Sequence, residues 1–315
     1  MINALYVDHR MRPPLEMALS SAKARCLAVE LRARGLLLIT TCLRTEVYGE
    51  CEALTELSRG ALWDREPKLI KNSFGVTQRL AEIASGIHSQ IVGEDYIAQQ
   101  LDRALEEFDQ HSPVYQLARF AIDIGVAAKE RYGLRAELSY DRIVRRLLSD
   151  LLGTESAATD LYVVGAGMLG RQLLRSGIAK DFRRFAMVTR NPKTLRRRLR
   201  SEGIECSFVK RPGEVAGGRQ NASAVVIATS EVTSDYACKL SDMVQTLQPR
   251  VIIDLSSVPV PLSSKVHAKA IDMYGPAFAS LVSENNAAVA SKIPDVQQAI
   301  RSNLEFAVTH LRSAA

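Results

Sequence analysis

Three stretches of this chain combine residue types and spacing that chemistry can use. The first is Thr41-Cys42-Leu43-Arg44-Thr45-Glu46, which follows the apolar run Leu36-Leu37-Leu38-Ile39 and precedes Val47-Tyr48. This pattern predicts a strand, a turn and a returning strand. The turn carries a thiol with a cation two residues on. A thiolate is a strong nucleophile, and Arg44 would favour ionisation of Cys42. The same residues also suit a small buried Cys at a strand end. The second stretch is Gly165-Ala166-Gly167-Met168-Leu169-Gly170, and the third is the polar corner Ser85-Gly86-Ile87-His88-Ser89-Gln90-Ile91-Val92-Gly93-Glu94.

The elements around the second stretch give it meaning. Leu161-Tyr162-Val163-Val164 reads as a short buried strand that runs into the glycines, and a helix is expected over residues 168–176. A strand before the glycines and a helix after them is the setting in which backbone N–H groups approach a pyrophosphate. The alternative is a purely structural glycine turn. The next strand, residues 185–189, ends at Arg190. An acidic residue there would take ribose hydroxyls, whereas Arg190 suits the 2′-phosphate of NADP. A further strand over residues 224–230 ends in Thr229-Ser230, at the edge where such sheets bind ligands. Together with a strand at 251–255, this alternation predicts a doubly wound α/β sheet.

The third stretch interrupts a helical pattern at residues 76–84 with glycines, serines and Glu94. Its residues alone read as a capped helix start. Helices are expected over residues 15–34, 54–63, 101–108, 114–131, 139–152, 276–290 and 294–311, with a loop at 64–71. Residues 153–160, small and polar, mark a domain boundary. The expected organisation is an α+β domain over 1–153, a doubly wound domain over 154–275, and C-terminal helices over 276–315.

Composition narrows the class. The 315 residues are 47% hydrophobic and 24% charged, as in a soluble globular protein. Lys and Arg outnumber Asp and Glu by 41 to 35, a net +6 that suits a nucleic-acid partner without requiring one. The densest basic run, Arg196-Arg197-Arg198-Leu199-Arg200, reads as a solvated helix face. There is no apolar run long enough to span a membrane and no signal-peptide pattern at the N-terminus. Five cysteines without a CxxC pair argue for a reducing cytoplasm and against zinc or a disulfide framework.

Several motifs, falling along the chain in the family's order, resemble the glutamyl-tRNA reductase family. Thr41-Cys42-Leu43-Arg44-Thr45-Glu46 is similar to its Thr-Cys-Asn-Arg-Thr-Glu signature. His9 to Glu16 resembles Asn-His-Lys-x-Ala-Pro-Val-Glu, with His9 matching the family's His. Ser85, Gly86, Ser89, Gly93, Glu94, Ile97 and Gln100 match its Ala-Ser-Gly-Leu-Asp-Ser-Met-Val-Leu-Gly-Glu-Pro-Gln-Ile-Leu-Gly-Gln segment. Thr189-Arg190-Asn191 and Ala228-Thr229-Ser230 resemble Asn-Arg-Thr and Ala-Thr-Ser, and Ile253-Asp254 with Val258-Pro259 resembles Ile-Asp-x-Ala-Val-Pro.

The resemblance implies a cytoplasmic, NADPH-dependent enzyme acting on glutamyl-tRNA, with neither DNA nor a membrane as partner and no metal. In this reading Cys42 attacks the aminoacyl ester and forms a thioester. Reduction gives glutamate-1-semialdehyde, the entry to tetrapyrrole synthesis, which a downstream aminomutase would take up. Thr41, Leu43, Arg44, Ser89, Glu94, Asp95, Tyr96 and Gln100 would hold the substrate, with Arg44 on its carboxylate. Gly165, Ala166, Gly167, Met168, Leu169, Gly170, Arg190, Thr229 and Ser230 would hold the cofactor.

The chain departs from the pattern at identifiable positions. Leu43 replaces an Asn beside the nucleophile, Asp95 and Tyr96 replace Pro and Gln, and Ala128 replaces the Gly of a Gly-Lys-x-Val-Arg segment of the family, at which Lys129 and Arg131 fall. Arg79 stands where the family has a His thought to assist proton transfer, and an Arg stays charged. His88 lies close by in sequence as a substitute or as a structural His. The family's helical dimerisation domain has no counterpart before Ala315, which leaves the oligomeric state open. Two other readings stand beside the first: an aminoacyl-tRNA reductase for another amino acid, and a non-catalytic paralogue that binds NADP or tRNA.

Overall fold

The computed structural model describes residues 1–313 apart from 14, 15, 17, 18, 20, 59–65, 205, 207, 216–221 and 230–232. Its first elements are β1 (Ile2–Asp8), α1 (Ser21–Ala33), β2 (Leu37–Thr41), β3 (Arg44–Glu50), α2 (Cys51–Ser58), β4 (Lys68–Ile70), α3 (Ser73–Ala84), α4 (Tyr96–Leu105) and α5 (Pro113–Arg131). Then follow α6 (Tyr140–Leu152), β5 (Asp160–Val164), α7 (Met168–Arg175), β6 (Arg184–Val188), α8 (Pro192–Ser201), β7 (Val209–Lys210) and β8 (Ser223–Ile227). The last are α9 (Ser234–Leu247), β9 (Val251–Asp254), β10 (Lys269–Asp272), α10 (Pro276–Val289) and α11 (Ile293–Ser313). The chain forms two compact units, Met1–Glu137 with Ser283–Ala315, and Leu138–Val282. Among the described residues no helix is long and apolar enough to cross a membrane.

The first unit is built on an antiparallel sheet of order β2-β3-β1-β4. Both of its faces are covered, so β3 is buried over six consecutive residues. On one face Leu5, Leu36, Leu38 and Val47 pack on Leu31 of α1 and on Leu54 and Leu57 of α2. On the other, Ile2, Ala4, Leu37, Ile39 and Tyr48 join a larger core from α3, α4 and α5. Because side chains alternate along a strand, Tyr6, Asp8, Arg44 and Glu46 continue this second face beyond its apolar part. The strand register pairs Tyr6 with Glu46 and Asp8 with Arg44. The loop expected at residues 64–71 holds the short edge strand β4, which pairs with β1.

Helix starts follow their chemistry. Asn72 accepts from Gly75 N at 2.6 Å before α3, and Ser112 accepts from Tyr115 N at 3.1 Å before α5, which opens with Pro113. Helices α3 and α5 approach closely because Gly125 faces Ala81: a Cβ there would lie 2.2 Å from the Ala81 carbonyl oxygen. Gly125→Ala is therefore expected to force the pair apart and lower the free energy of unfolding, read by urea titration, by about 1–3 kcal/mol. Val296, Ala299, Ile300 and Leu304 of α11 join the same core, so this C-terminal helix packs with α3 and α5.

The second unit holds six parallel strands in the order β10-β9-β8-β5-β6-β7. Numbered from β5, this is the dinucleotide-fold order 6-5-4-1-2-3, in which the chain reverses direction across the sheet between β5 and β8. The mixed α/β class and doubly wound sheet expected from sequence are present. Helix α6, placed by sequence with the first domain, packs in the second unit against α7 and β9. Its buried stripe of Ile143, Val144, Leu147 and Leu148 explains this, since an amphipathic helix settles where its apolar face is covered.

Candidate active site

In the first unit, Cys42 and Leu43 form the two-residue turn between β2 and β3. Thr41 Oγ1 accepts from Leu43 N at 3.2 Å, and the Leu43 carbonyl accepts from His9 N at 2.8 Å, so the turn is tied on both sides. Leu43 is buried. Cys42 is half-buried, and burial pushes its thiol up to about 11. Arg44 opposes that rise and Glu94 adds to it. Arg44 does favour the thiolate, as its place two residues on suggests, but desolvation of the sulfur outweighs one guanidinium. Cys42 rests as a thiol at neutral pH.

Arg44 is 2% exposed. Its Nη2 donates to the carbonyl of His88, and its Nε lies 4.0 Å from Glu46. Nε and Nη1 make no hydrogen bond. Donors left unmet in the interior cost about 1–3 kcal/mol, more for a charged group. Such a cation beside a thiol is prepared to receive an anion.

Arg79 belongs to a different cluster. Its Nε and Nη2 donate to Glu46 at 2.9 and 2.8 Å, Nη2 also donates to Asp8 at 3.1 Å, and the guanidinium lies 3.5 Å from the Tyr6 ring centroid. Tyr48 Oη donates to Glu46 as well. Against burial, which lowers it, the Glu46 and Asp8 carboxylates raise the Arg79 pKa, so the residue holds α3 to β1 and β3 and has no proton to exchange.

His88 is held at both ring nitrogens. Nδ1 lies 3.0 Å from Arg10 Nη2 and Nε2 lies 2.8 Å from Glu82 Oε2. An arginine only donates, which assigns the proton of the neutral ring to Nε2. The pair with His88 lowers the Glu82 pKa against the effect of burial.

The polar corner is a capped helix start, as its residues alone suggest. Glu94 Oε1 accepts from Ser89 Oγ at 3.0 Å and Ile97 N at 3.1 Å, and Oε2 accepts from Tyr96 N. Burial nevertheless raises the Glu94 pKa. Lys129, itself buried, donates to the Glu94 carbonyl and to Asp95, both at 2.6 Å. Asp95 and Gln100 are exposed, and among the described residues Gln100 makes no hydrogen bond with the turn or with Ser89 and Glu94.

Sequence reading missed two residues that shape this corner. Asn286 Oδ1 accepts from Val92 N at 2.9 Å while its Nδ2 donates to Gln90 O at 3.0 Å, and Asn285 Nδ2 donates to Val92 O at 3.2 Å. The available signal was two successive asparagines inside a helix, where they are poor formers and need a tertiary reason.

In the second unit the glycines divide their roles by sterics. A Cβ at Gly165 would lie 2.2 Å from the Ala228 oxygen, and one at Gly170 would lie 2.2 Å from the Gly165 oxygen. A Cβ at Gly167 would meet nothing within 4 Å. Gly165, with φ of 120°, thus permits the turn against β8, Gly170 seats α7 on the strand, and Gly167 leaves open space at the helix N-terminus. Ala166, Met168 and Leu169 complete the loop. This is a cradle a pyrophosphate fits. Arg190 follows β6 at the same sheet edge, with its guanidinium 5.2 Å from the Tyr236 ring centroid. Thr229 follows β8, and Ser230 lies outside the described residues. Asp254, ending β9, accepts from Ser256 N at 2.9 Å and Val260 N at 2.8 Å, which folds the 256–260 turn around it.

Residues 10–129 match the family model for the glutamyl-tRNAGlu reductase N-terminal domain. Over 304 residues the chain is 37% identical to protein nfe2 of Rhizobium meliloti, covering 96% of this chain and 98% of that protein. It is 30% identical over 171 residues to the glutamyl-tRNA reductase of Clostridium beijerinckii, covering 50% of this chain and 41% of the reductase, less than half its length. Among solved structures, the glutamyl-tRNA reductase from Methanopyrus kandleri aligns with 99% of this chain and 81% of its own at 22% identity and a TM-score of 0.49.

Proposed function

The chain belongs to the glutamyl-tRNA reductase family as a divergent member, and on that premise we propose that it reduces glutamyl-tRNA to glutamate-1-semialdehyde through a thioester on Cys42. The observation that carries this reading is Arg44, buried beside the Cys42 turn with Nε and Nη1 unmet. A substrate carboxylate would supply an acceptor to one of these donors, since Nε and Nη1 lie on different edges of the guanidinium. Glu94, with three hydrogen bonds received, retains an acceptor position for the α-amine. Cys42 Sγ then forms a bond to the ester carbonyl carbon while the carbon–oxygen bond to the tRNA breaks.

The loop at residues 165–170 would hold NADPH, with Arg190 on its 2′-phosphate and Thr229 at the sheet edge. Bound there, the nicotinamide supplies the hydride that makes the aldehyde. As the thioester carbon is reduced, Cys42 leaves as thiolate and regains a proton. This chemistry would place the protein at the start of tetrapyrrole synthesis in the cytoplasm, ahead of an aminomutase that consumes the aldehyde.

The test is a single-turnover assay with NADPH and glutamyl-tRNA charged with labelled glutamate. Aldehyde should form, and label should become covalently attached to protein when NADPH is omitted. No aldehyde and no protein-bound label would overturn the reading. A second reading, another aminoacyl-tRNA as substrate, is favoured by the buried apolar Leu43 beside the nucleophile. Label transfer from a different charged tRNA, absent with glutamyl-tRNA, would select it.

The cofactor loop carries its own prediction. Gly167→Ala should leave the unfolding midpoint unchanged and weaken NADPH binding at least about tenfold, since its methyl group enters the space a pyrophosphate needs. Gly170→Ala should destabilise the fold by about 1–3 kcal/mol, because its methyl group meets backbone. Fluorescence titration of NADPH and thermal melting separate the two effects.

A further inference from the structure

The Cys42 thiol requires a base, and the residues around the turn leave few that can serve. Arg44 and Arg79 stay charged. His88 is engaged at both nitrogens by Arg10 and Glu82. Glu94 already receives hydrogen bonds from Ser89, Tyr96 and Ile97. His9 differs. Its backbone N–H donates to Leu43 O at 2.8 Å, which sets it beside the turn, and its Nδ1 is buried without a hydrogen bond. A buried imidazole nitrogen with no partner is costly unless a ligand or reaction uses it.

We propose that His9 accepts the Cys42 proton as the thiol attacks an acyl ester, and returns that proton to the departing oxygen. In balance, the S–H bond breaks, the proton passes to His9 Nδ1, the S–C bond forms, and the C–O bond breaks as its oxygen takes the proton from His9. The ring ends neutral, ready for another cycle. This inference rests on the reading of Cys42 as the nucleophile toward an ester.

Burial around His9 favours the base form most, and Arg44 on β3, Arg10 beside it and His88 after α3 act the same way. Asp8 alone pulls the other way, and it is shared with Arg79 and Arg10 N. The His9 pKa therefore falls below its ordinary 6.5, so the imidazole is neutral and able to accept at pH 7. Protonation on acidification should switch the assistance off.

The experiment reads Cys42 directly and needs neither tRNA nor NADPH. Cys42 alkylation by iodoacetamide is followed by peptide mass spectrometry from pH 5 to 10, with exposed Cys26, Cys51 and Cys238 as internal controls. The unaltered protein should show a shoulder whose midpoint lies below pH 6.5. His9→Gln should remove the shoulder and slow Cys42 alkylation at pH 7 by about a hundredfold, a typical general-base effect. The bond from His9 N to Leu43 is made by backbone and survives this change. His9→Ala should regain part of the rate with added imidazole. A profile rising without a shoulder toward pH 11, or a shoulder retained in His9→Gln, would overturn the proposal. A His9-dependent shoulder in a protein that makes no aldehyde from glutamyl-tRNA would remove only the substrate reading.

Discussion

Cys42→Ser is expected to lower the single-turnover rate of aldehyde formation by at least about a thousandfold, as loss of a nucleophile does in covalent enzymes. Sulfur already starts at a disadvantage in this turn, where burial lifts the thiol to about 11. A serine hydroxyl in the same setting is far harder to ionise, and one neighbouring guanidinium cannot make up the difference. Label from glutamyl-tRNA should no longer attach to the protein, while NADPH binding, which the proposal assigns to the other unit, should be unchanged. An undiminished rate would show that the thiol is not the attacking group.

Arg79→Met is expected to destabilise the first unit by about 3–5 kcal/mol. Glu46 is fully buried and takes two hydrogen bonds from Arg79, and the half-buried guanidinium also serves Asp8 and lies on the Tyr6 ring. Methionine fills the volume but leaves one buried carboxylate with only Tyr48 Oη and the distant Arg44. The cost is that of an uncompensated charge, larger than the worth of the intact pair. Combining Arg79→Met with Glu46→Gln should therefore recover part of the loss. Urea unfolding followed by circular dichroism, with amide exchange in β1 and β3, gives the measurement. A change within about 0.5 kcal/mol would show that the cluster does not hold the sheet to α3. Arg79→His should also destabilise, because one imidazole cannot serve Glu46 and Asp8 together.

These two residues show why the family pattern is an incomplete guide. The Arg at position 79 was legible as a departure, and its inability to act as a base follows from its chemistry alone. What it does instead depends on which carboxylates the β1–β3 register brings under α3, and that register emerges only when the sheet forms. The same holds for Glu94. Its place in the motif suggested substrate binding, but its backbone neighbours decide that the carboxylate also caps α4. His9 was visible only as a motif match, because an unmet nitrogen is a property of surroundings that the chain assembles from β1, β3 and the segment after α3.

The sequence by itself determined the local events: the turn at Cys42 between two strands, the strand–glycine–helix unit over residues 161–176, the alternation behind the doubly wound sheet, and the identity of the charged groups. Each follows from neighbours in the chain, through side-chain period, backbone freedom at glycine and intrinsic chemistry. Tertiary structure alone decided the rest. It placed α6 in the second unit and α11 in the first, because an apolar helix face goes where the remaining uncovered surface lies. It also kept Cys42 a thiol, since the desolvation that raises its pKa comes from residues distant in sequence, and no local spacing of Arg44 can measure that burial.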